Sequence, residues 1–582
     1  MLCIRDMGAH VALISRGVLV SDGLLNTLIG TFAEFNRIGM VGPQLLNLDG
    51  TEATTSTGTI RDAKSIHSRS QLGQDDSRLD HVCEVNYLSL VCLVMAIEVW
   101  KKINLFDEIY APGHYSGIDL SHRVRLLGYR CLYVPSMKVT FDSERYGEIG
   151  RIKGNASDNE INRLKLKARW HNSRSSKKNA DTAKHPNFVV DVGQRVLVLD
   201  VETPRPDTNA GGYAAVKEMQ VLQSLGYQVT FIPRDLEHSG RYTEALQRMG
   251  IECIYAPFFV NIDEFLSKRS TEFSLIYITR YHVALDVLSH IRQYALIAKT
   301  VLMVADLHFL RELRAALHNK DDEQLSQAME TRENELAVMR KVDLVLSYSE
   351  VEKTVILSHN LASTKVAKCP WVCDVVESVS GFENRVDVAF LGGFNHTPNV
   401  EAMVWFIEQV WPTLLKQLPE AQLRIYGSAI PHSIKDLAGS NPRVQVLGWV
   451  SDVASVYNSC RVFIAPLQSG AGIKGKVIGA LAHGVPSVLS DIAVEGIGVC
   501  DEIHSFVASS PDEWVNRIMR LYTDQALWEQ MSKHALSFAK RNYSLEKAIV
   551  EMKAALSAVG IEAILEPKAL VWKGPWRSVA QV

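Results

Sequence analysis

The sequence predicts an α/β protein whose larger part is two consecutive doubly wound, Rossmann-like lobes, preceded by a partial α/β domain. Three observations lead to that class. From Arg195 onward, short apolar runs alternate with helix-length segments, the pattern of strand–helix–strand units and parallel sheets. This alternation starts twice, at Arg195–Asp200 (RVLVLD) and again at Val386. Glycines follow several of the strands, at Gly211-Gly212, at Gly392-Gly393, and through the stretch from Pro466 to Gly496, PLQSGAGIKGKVIGALAHGVPSVLSDIAVEG.

At 582 residues the chain is too long for one core, and length points to three or four domains. With 47% hydrophobic and 22% charged residues it has an ordinary globular composition, and its net charge of -3 gives no call for a nucleic-acid partner. Nine cysteines without dense spacing do not form a disulfide scaffold, which places the chain in a reducing, cytoplasmic setting. Cys369 and Cys373 have no matching second pair and no His cluster beside them, so they read as core or loop thiols rather than metal ligands. No apolar segment follows Met1–His10 directly, so no secretory signal is expected. The most apolar run, Leu88–Ile97, is about half of a membrane span.

In chain order, Val11–Ile14 and Val18–Val20 read as strand fragments, Leu24–Phe35 as a helix after the Asp22-Gly23 turn, and Gly39–Leu46 as an apolar strand. The polar stretch Thr51–Arg78 reads as a loop or insertion. The apolar run Val85–Ile97, a helix opening at Ile118-Asp119-Leu120, and the strand Arg130–Val134 complete this part. VGPQLLNLDG, NLFDEIY and IDLSHRVRLLGYRCLYVP resemble the second half of a family 2 glycosyltransferase of GT-A fold. That resemblance implies an acidic metal-binding motif where Ser15, Arg16 and Gly17 stand, and a catalytic acid pair where Ser116 and Gly117 stand, with only Asp119 kept. Divalent cations need oxygen ligands and a general base needs a titratable group, so residues 1–170 read as a non-catalytic remnant.

Residues 151–185 hold ten Lys/Arg against three Asp/Glu, and the composition turns polar and basic from His171 to Pro186. We place the boundary there, with 171–193 as a basic linker. Such a run usually marks a solvated helix face; its functional reading is a peripheral hold on anionic lipid at the inner membrane, or on a diphosphate-linked acceptor.

Arg195–Asp200 leads through ETPRPDTNAGGY into the helix Ala214–Leu225 and the strand Gln228–Ile232, a βαβ unit. Further strands are expected at Ile251–Ala256, Leu275–Thr279, Thr300–Val304 and Val342–Tyr348. In ADLHFLRELR, Asp306 and His308 fall at the carboxyl end of a strand, where open α/β sheets place their ligands, with Arg311 and Arg314 one turn apart behind them. After Val386 come the glycine turn Gly392-Gly393, an amphipathic helix Val400–Leu418, strands at Leu423–Tyr426, Val444–Leu447 and Val462–Ala465, and helical sequence from Pro511 to Leu556.

In Pro466–Gly496, Gly470, Gly472 and Gly475 interleave with Lys474 and Lys476 ahead of a helical segment, Val477–Ala482. Glycines admit a ligand close to the backbone, a helix N-terminus favours anions, and two lysines at its mouth suit a diphosphate.

FLGGFNHTPNVEAMVWFIEQVWP, RIYGSAIP, VQVLGWVSDV and the Pro466–Gly496 stretch resemble the donor lobe of family 4 glycosyltransferases, and VLVLDVETPRPDTNAGGY with VADLHFLRELR resembles their acceptor lobe. The likeness spans about residues 194–560, and a family 2 piece ahead of a family 4 enzyme resembles bacterial polysaccharide and O-antigen biosynthesis proteins. It implies a GT-B fold, with an acceptor lobe at 194–380, a donor lobe at 381–560 and a tail at 561–582. It also implies transfer of a hexose-type sugar from a nucleotide-diphosphate donor to a glycan or lipid-linked acceptor, with retention and without a metal or other cofactor. Under it, Lys474, Lys476, Gly470, Gly472 and Gly475 hold the diphosphate, with Gly392 and Gly393 opposite. His308 and Asp306 face the sugar, Gly211, Gly212 and Arg311 serve the acceptor, and Glu495 with Gly496 reaches the donor from the next loop. One departure stands out: Gly479 occupies the place of the glutamate that holds the donor ribose, and Ala471 is non-acidic as well. Two other readings follow, a catalytically impaired binding or scaffold protein and a GT-B sugar-nucleotide epimerase.

Overall fold

The structure is a computed structural model. It describes residues 194–562 without a break, together with 564 and 570–574. Before residue 194 it describes 2–6, 8–15, 17–20, 22–50, 57–62, 65–67, 77, 80–103, 107–110, 115–141, 161–162, 164–166 and 168–169. The linker 171–193, most of the basic run 151–185, and Arg16 lie outside the described residues.

The chain forms two compact units. One gathers Met1–Leu197, Gly226–Phe265 and Leu565–Val582; the other gathers Val198–Leu225 and Leu266–Ile564.

In the first unit, β1 (Leu2–Asp6), β2 (His10–Ser15), β3 (Val18–Leu19), β4 (Ile38–Leu46), β7 (Cys83–Glu84), β9 (Cys92–Ala96) and β10 (Arg130–Phe141) form a mixed sheet among the described residues. Its order is β1-β2-β9-β4-β10-β3, with β7 beside β10. β4 and β10 run parallel and the remaining pairings are antiparallel. A small sheet joins β6 (Ser65–His67), β5 (Thr57–Asp62) and β8 (Tyr87–Leu88). The expected single apolar run Val85–Ile97 is thus split into β8, β9 and the start of helix α2 (Ile97–Ile103), because Ser89-Leu90 turns the chain between the two sheets. Helices α1 (Leu24–Glu34) and α3 (Tyr115–Leu126) complete this part, and Leu13, Met40, Leu93, Met95, Leu120 and Tyr133 share one core.

The parallel pair β12 (Gln228–Pro233) and β13 (Glu252–Cys253), with helix α5 (Arg241–Arg248), belongs to the same unit. Bonds from the first hundred residues hold it there. Val82 N donates to Gln247 O at 2.9 Å, Ser77 Oγ to Glu252 Oε1 at 2.8 Å and Tyr255 Oη to Asp80 at 2.7 Å. Arg248 pairs with Glu34, and Lys573 N donates to Glu34 O at 2.7 Å.

In the second unit two parallel sheets are present, as the strand–helix alternation leads one to expect. The first follows the end of β11 (Arg195–Asp200) with β14 (Leu275–Thr279), β15 (Lys299–Met303), β16 (Leu344–Ser347) and β17 (Lys365–Lys368), side by side in that order. Its helices include α4 (Ala210–Ser224), α6 (Tyr281–Tyr294), α7 (His308–Asn319), α8 (Asp322–Met339) and α9 (Glu350–Ser358). The second sheet has the order β20-β19-β18-β21-β22-β23, with β18 (Val386–Leu391), β19 (Leu423–Tyr426), β20 (Val444–Gly448), β21 (Cys460–Ala465), β22 (Ser487–Leu489) and β23 (Phe506–Val507). All its pairings are parallel.

The expected helix Val400–Leu418 is two helices, α10 (Thr397–Gln409) and α11 (Trp411–Gln417), broken at Val410. Pro412 has no amide hydrogen to continue the ladder, so it falls at the start of a new helix. Trp411 nevertheless reaches the same core as Phe390, Phe406, Leu423, Val462 and Trp514. Cys369 and Cys373 are buried thiols. Among the described residues no helix is long and apolar enough to cross a membrane.

Candidate functional site

The order of the second sheet locates the site. β18 and β21 are neighbours from which the strand sequence runs outward in opposite directions, the switch point beyond whose carboxyl ends open parallel sheets place their ligands. β18 ends at Gly392-Gly393, and β21 feeds the loop from Pro466 to Lys474 that opens helix α12 (Gly475–Ala482). Helix α13 (Asp491–Val494) follows β22, with Glu495 as its C-cap.

Gly392 lies against Lys476: a Cβ on Gly392 would come 2.9 Å from Lys476 Nζ and 3.0 Å from Asn399. Lys476 Nζ donates to Asn399 Oδ1 at 2.5 Å and sits 4.4 Å from the centre of the Phe390 ring. Asn399 Nδ2 in turn donates to Gly393 O at 2.6 Å. Burial, helped by the charge of Lys474, lowers the Lys476 ammonium to about 7. Burial likewise lowers Lys474 to about 8, against the pull of Glu495 and Glu352. Lys474 Nζ donates to its own loop, to Gly472 O at 2.5 Å and Ala471 O at 3.2 Å. Gly470 and Gly472 bend that loop at φ 128° and 70°, a conformation side chains disfavour. An anion bound beside two such desolvated ammonium groups would gain more than it would in water.

Across from the loop stands the end of β15. A Cβ on Gly472 would lie 3.0 Å from Asp306 Cβ, so the glycine loop and the Asp306–His308 turn touch. His308 Nε2 lies 3.4 Å from Asp306 Oδ1, and Arg311 pairs with the other carboxylate oxygen. Burial alone would raise the Asp306 carboxyl, but the His308 hydrogen bond and the Arg311 charge carry it below its ordinary value. Tyr281 and His282 face the His308 ring, with centroids 5.2 and 5.8 Å away.

Glu495 reaches the loop, yet both its oxygens accept from Arg314, at 2.8 and 2.7 Å, and Arg314 also donates to Gly470 O at 3.1 Å. These bonds from Arg314 hold the Glu495 carboxyl below its usual value. Gly496 packs on Ser349, whose hydroxyl occupies the space of a Cβ. Gly475 packs on Trp371, 2.8 Å from the ring at the Cβ position. Gly211 and Gly212 lie elsewhere, at the start of α4. A Cβ on Gly211 would meet the Arg280 guanidinium at 2.9 Å, and one on Gly212 the Arg205 backbone at 2.6 Å. Arg280 pairs with the buried Asp200.

Several residues of this region are not legible as motifs. Glu352 is buried behind the loop, accepting from Leu307 N at 3.1 Å and Ser347 Oγ at 3.2 Å, and burial raises it to about 7. Glu335, in the polar helix α8, caps α7 by accepting from His308 N and Phe309 N at 3.1 Å each, and burial raises it to about 7 too. Asn399 had a signal in the sequence, the Thr-Pro-Asn that opens α10, whereas Glu335 and Glu352 had none beyond being acidic.

Gly479 has a packing reason. A Cβ there would sit 2.7 Å from Tyr457 Oη and 2.9 Å from its ring, and that hydroxyl donates to Lys476 O at 2.9 Å. Tyr457 fills the space a side chain at 479 would need.

Residues 385–524 match the family described as Glycosyl transferases group 1. A Klebsiella pneumoniae chain named as an uncharacterized 44.6 kDa protein in the cps region is 23% identical over 171 residues, which is 28% of this chain and 44% of that one. The chain thus spans less than half of that relative's length. Among solved structures, sucrose-phosphate synthase from Thermosynechococcus elongatus aligns at 14% identity and TM-score 0.47, over 63% of this chain and 99% of that one. Anabaena HepE in complex with UDP and glucose aligns at 14% identity and TM-score 0.48, over 63% and 100%. Staphylococcus aureus TarM aligns at 14% identity and TM-score 0.41, over 50% and 57%.

Proposed function

We propose that the chain is a retaining glycosyltransferase that moves a sugar from a nucleotide-diphosphate donor to a glycan or lipid-linked acceptor in cell-surface polysaccharide assembly. In this reading residues 194–380 form the acceptor lobe and 381–560 the donor lobe, working without a metal on the cytoplasmic side, and residues 1–170 are a GT-A-like remnant. The group 1 match at 385–524 and the cps-region relative support it. The observation that carries it is the meeting of the Lys474/Lys476 loop with Asp306–His308 through Gly472.

The diphosphate lies over the N-terminus of α12, where Lys476 and Lys474 bind it and Gly392 leaves room for it. Binding raises both lysines back toward full charge, and they neutralise the leaving group as the glycosidic bond breaks. Lys474 exchanges its loop carbonyls for phosphate oxygens. His308, held by Asp306, bonds the donor sugar from the facing sheet, and Arg311 borders the acceptor's approach. Tyr457 takes the place of the family's ribose-binding glutamate, so the ribose is held from elsewhere, and Glu495 is free for it only when Arg314 lets go.

Calorimetry of the full chain with UDP and with GDP tests the reading. One should bind, and Lys474→Ala plus Lys476→Ala should weaken it at least ~100-fold, as loss of two charged hydrogen bonds implies. Equal affinity in the double variant would overturn it. Nucleotide binding with no transfer to any lipid-linked or glycan acceptor would favour the scaffold reading.

A further inference from the structure

We infer that a second surface of this chain, at the opposite end of the β14–β17 sheet from the glycine–lysine loop, docks onto an anionic phospholipid membrane. A cleft of about 560 Å³ opens where β15, β16 and β17 begin, lined by Arg292, Lys299, Arg340, Lys341 and Lys365 with Asp343. Ligand crevices of parallel sheets lie at the carboxyl ends of the strands, so this cleft serves something other than the reaction. A five-residue strand separates the two by about 15 Å.

Charge and shape both point to lipid. Lys299 Nζ reaches Asp343 at 2.8 Å, and Thr300 N and Oγ1 each donate to the same carboxylate at 2.9 Å, so that single acid is fully engaged. Four cations remain over the cleft, and among the described residues Arg340, Lys341 and Lys365 make no ion pair. Arg292 is braced by a 2.9 Å bond to Lys341 O. Beside them, on the loop between α6 and β15, Leu296 is 82% exposed and Ile297 91% exposed. Two adjacent aliphatics held in water gain by entering an acyl layer, while the surrounding cations meet its phosphate plane. A soluble polyanion would use the cations but would gain nothing from Leu296 and Ile297, and that difference selects the membrane. The inference does not depend on the proposed reaction.

Co-sedimentation of the full chain with vesicles tests it, comparing phosphatidylcholine alone with phosphatidylcholine containing 30% phosphatidylglycerol. Binding to the anionic vesicles should exceed binding to the neutral ones at least ~20-fold and fall with salt. Lys341→Glu with Lys365→Glu should cut it ~25-fold or more, at about fivefold per cation. Leu296→Ser with Ile297→Ser should cut it ~10-fold while leaving retention on inorganic polyphosphate unchanged. Ile297→Trp, which needs no loss of function, should shift its emission to the blue on anionic vesicles only. Full binding by both double variants would overturn the inference, since residues elsewhere would then carry the contact. Loss in the charge variant with no effect of the Leu296/Ile297 variant and no Trp shift would also overturn it, in favour of a soluble polyanion.

Discussion

At the scale of single residues, the candidate site rests on two lysines that burial has made poor cations in the free protein. In the unfolded chain lysines titrate near ~10.4, far above the values of about 7 and 8 at Lys476 and Lys474. Above about pH 7 the unfolded chain therefore holds more protons than the folded one, and this part of the stability grows as pH rises. Replacing Lys476 by Met removes that contribution. The melting temperature of the free variant minus that of wild type should be largest below pH 7 and shrink steadily toward pH 9; a constant difference would contradict the burial argument. Nucleotide-diphosphate affinity should move the other way, falling above pH 8 as both ammonium groups lose their protons. Asn399 takes part as the side-chain acceptor of Lys476. Asn399→Ala leaves that ammonium without its bond and should weaken diphosphate binding ~10-fold, measured by calorimetry, whereas a purely structural Asn399 would lower only the melting temperature.

At the scale of elements, helix α12 is shaped by what it packs on. Gly475 meets Trp371 and Gly479 meets Tyr457, so the helix approaches its neighbours more closely than side chains would permit. Gly479→Glu, the residue that the family 4 resemblance implies at this position, should destabilise the chain by about 1–3 kcal/mol through overpacking and should not tighten nucleotide binding. Chemical denaturation and calorimetry read the two effects separately, and tighter binding by the variant would show that the Tyr457 contact yields. Arg314 is the companion device on α7, since its bonds to Glu495 and Gly470 tie the loop to the facing sheet. Arg314→Ala should raise the donor KM ~10-fold with a smaller change in kcat, read from initial rates.

At the scale of the whole molecule, the chain's first 197 residues share a compact unit with 226–265 and with the C-terminal tail. Glu34, Ser77, Asp80 and Val82 all bond to residues between 247 and 255. The N-terminal part is therefore structural support for β12, β13 and α5. A fragment beginning at residue 190 should melt well below the full chain or aggregate. Within the full chain, Glu34→Ala should cost about 1–3 kcal/mol, because the part-buried Arg248 loses its carboxylate. Differential scanning calorimetry checks both, and a fragment as stable as the parent would show that the support is dispensable.

Much of the architecture is local and was legible in the sequence. Alternating apolar runs and helix-length segments specify parallel α/β sheets, Gly392-Gly393 directly follow β18 as expected, and both Lys474 and Lys476 fall at the mouth of a helix. The helix break at Val410 could have been read from Pro412. What the tertiary structure alone decided is who faces whom. Asp306 against Gly472, Tyr457 in the space beside Gly479, Arg314 across both oxygens of Glu495, and the first hundred residues bonded to 247–255 all join positions far apart in the chain. Periodicity carries information over one or two turns of helix or strand. Contacts between distant segments depend on how packed layers stack, and no local pattern encodes that.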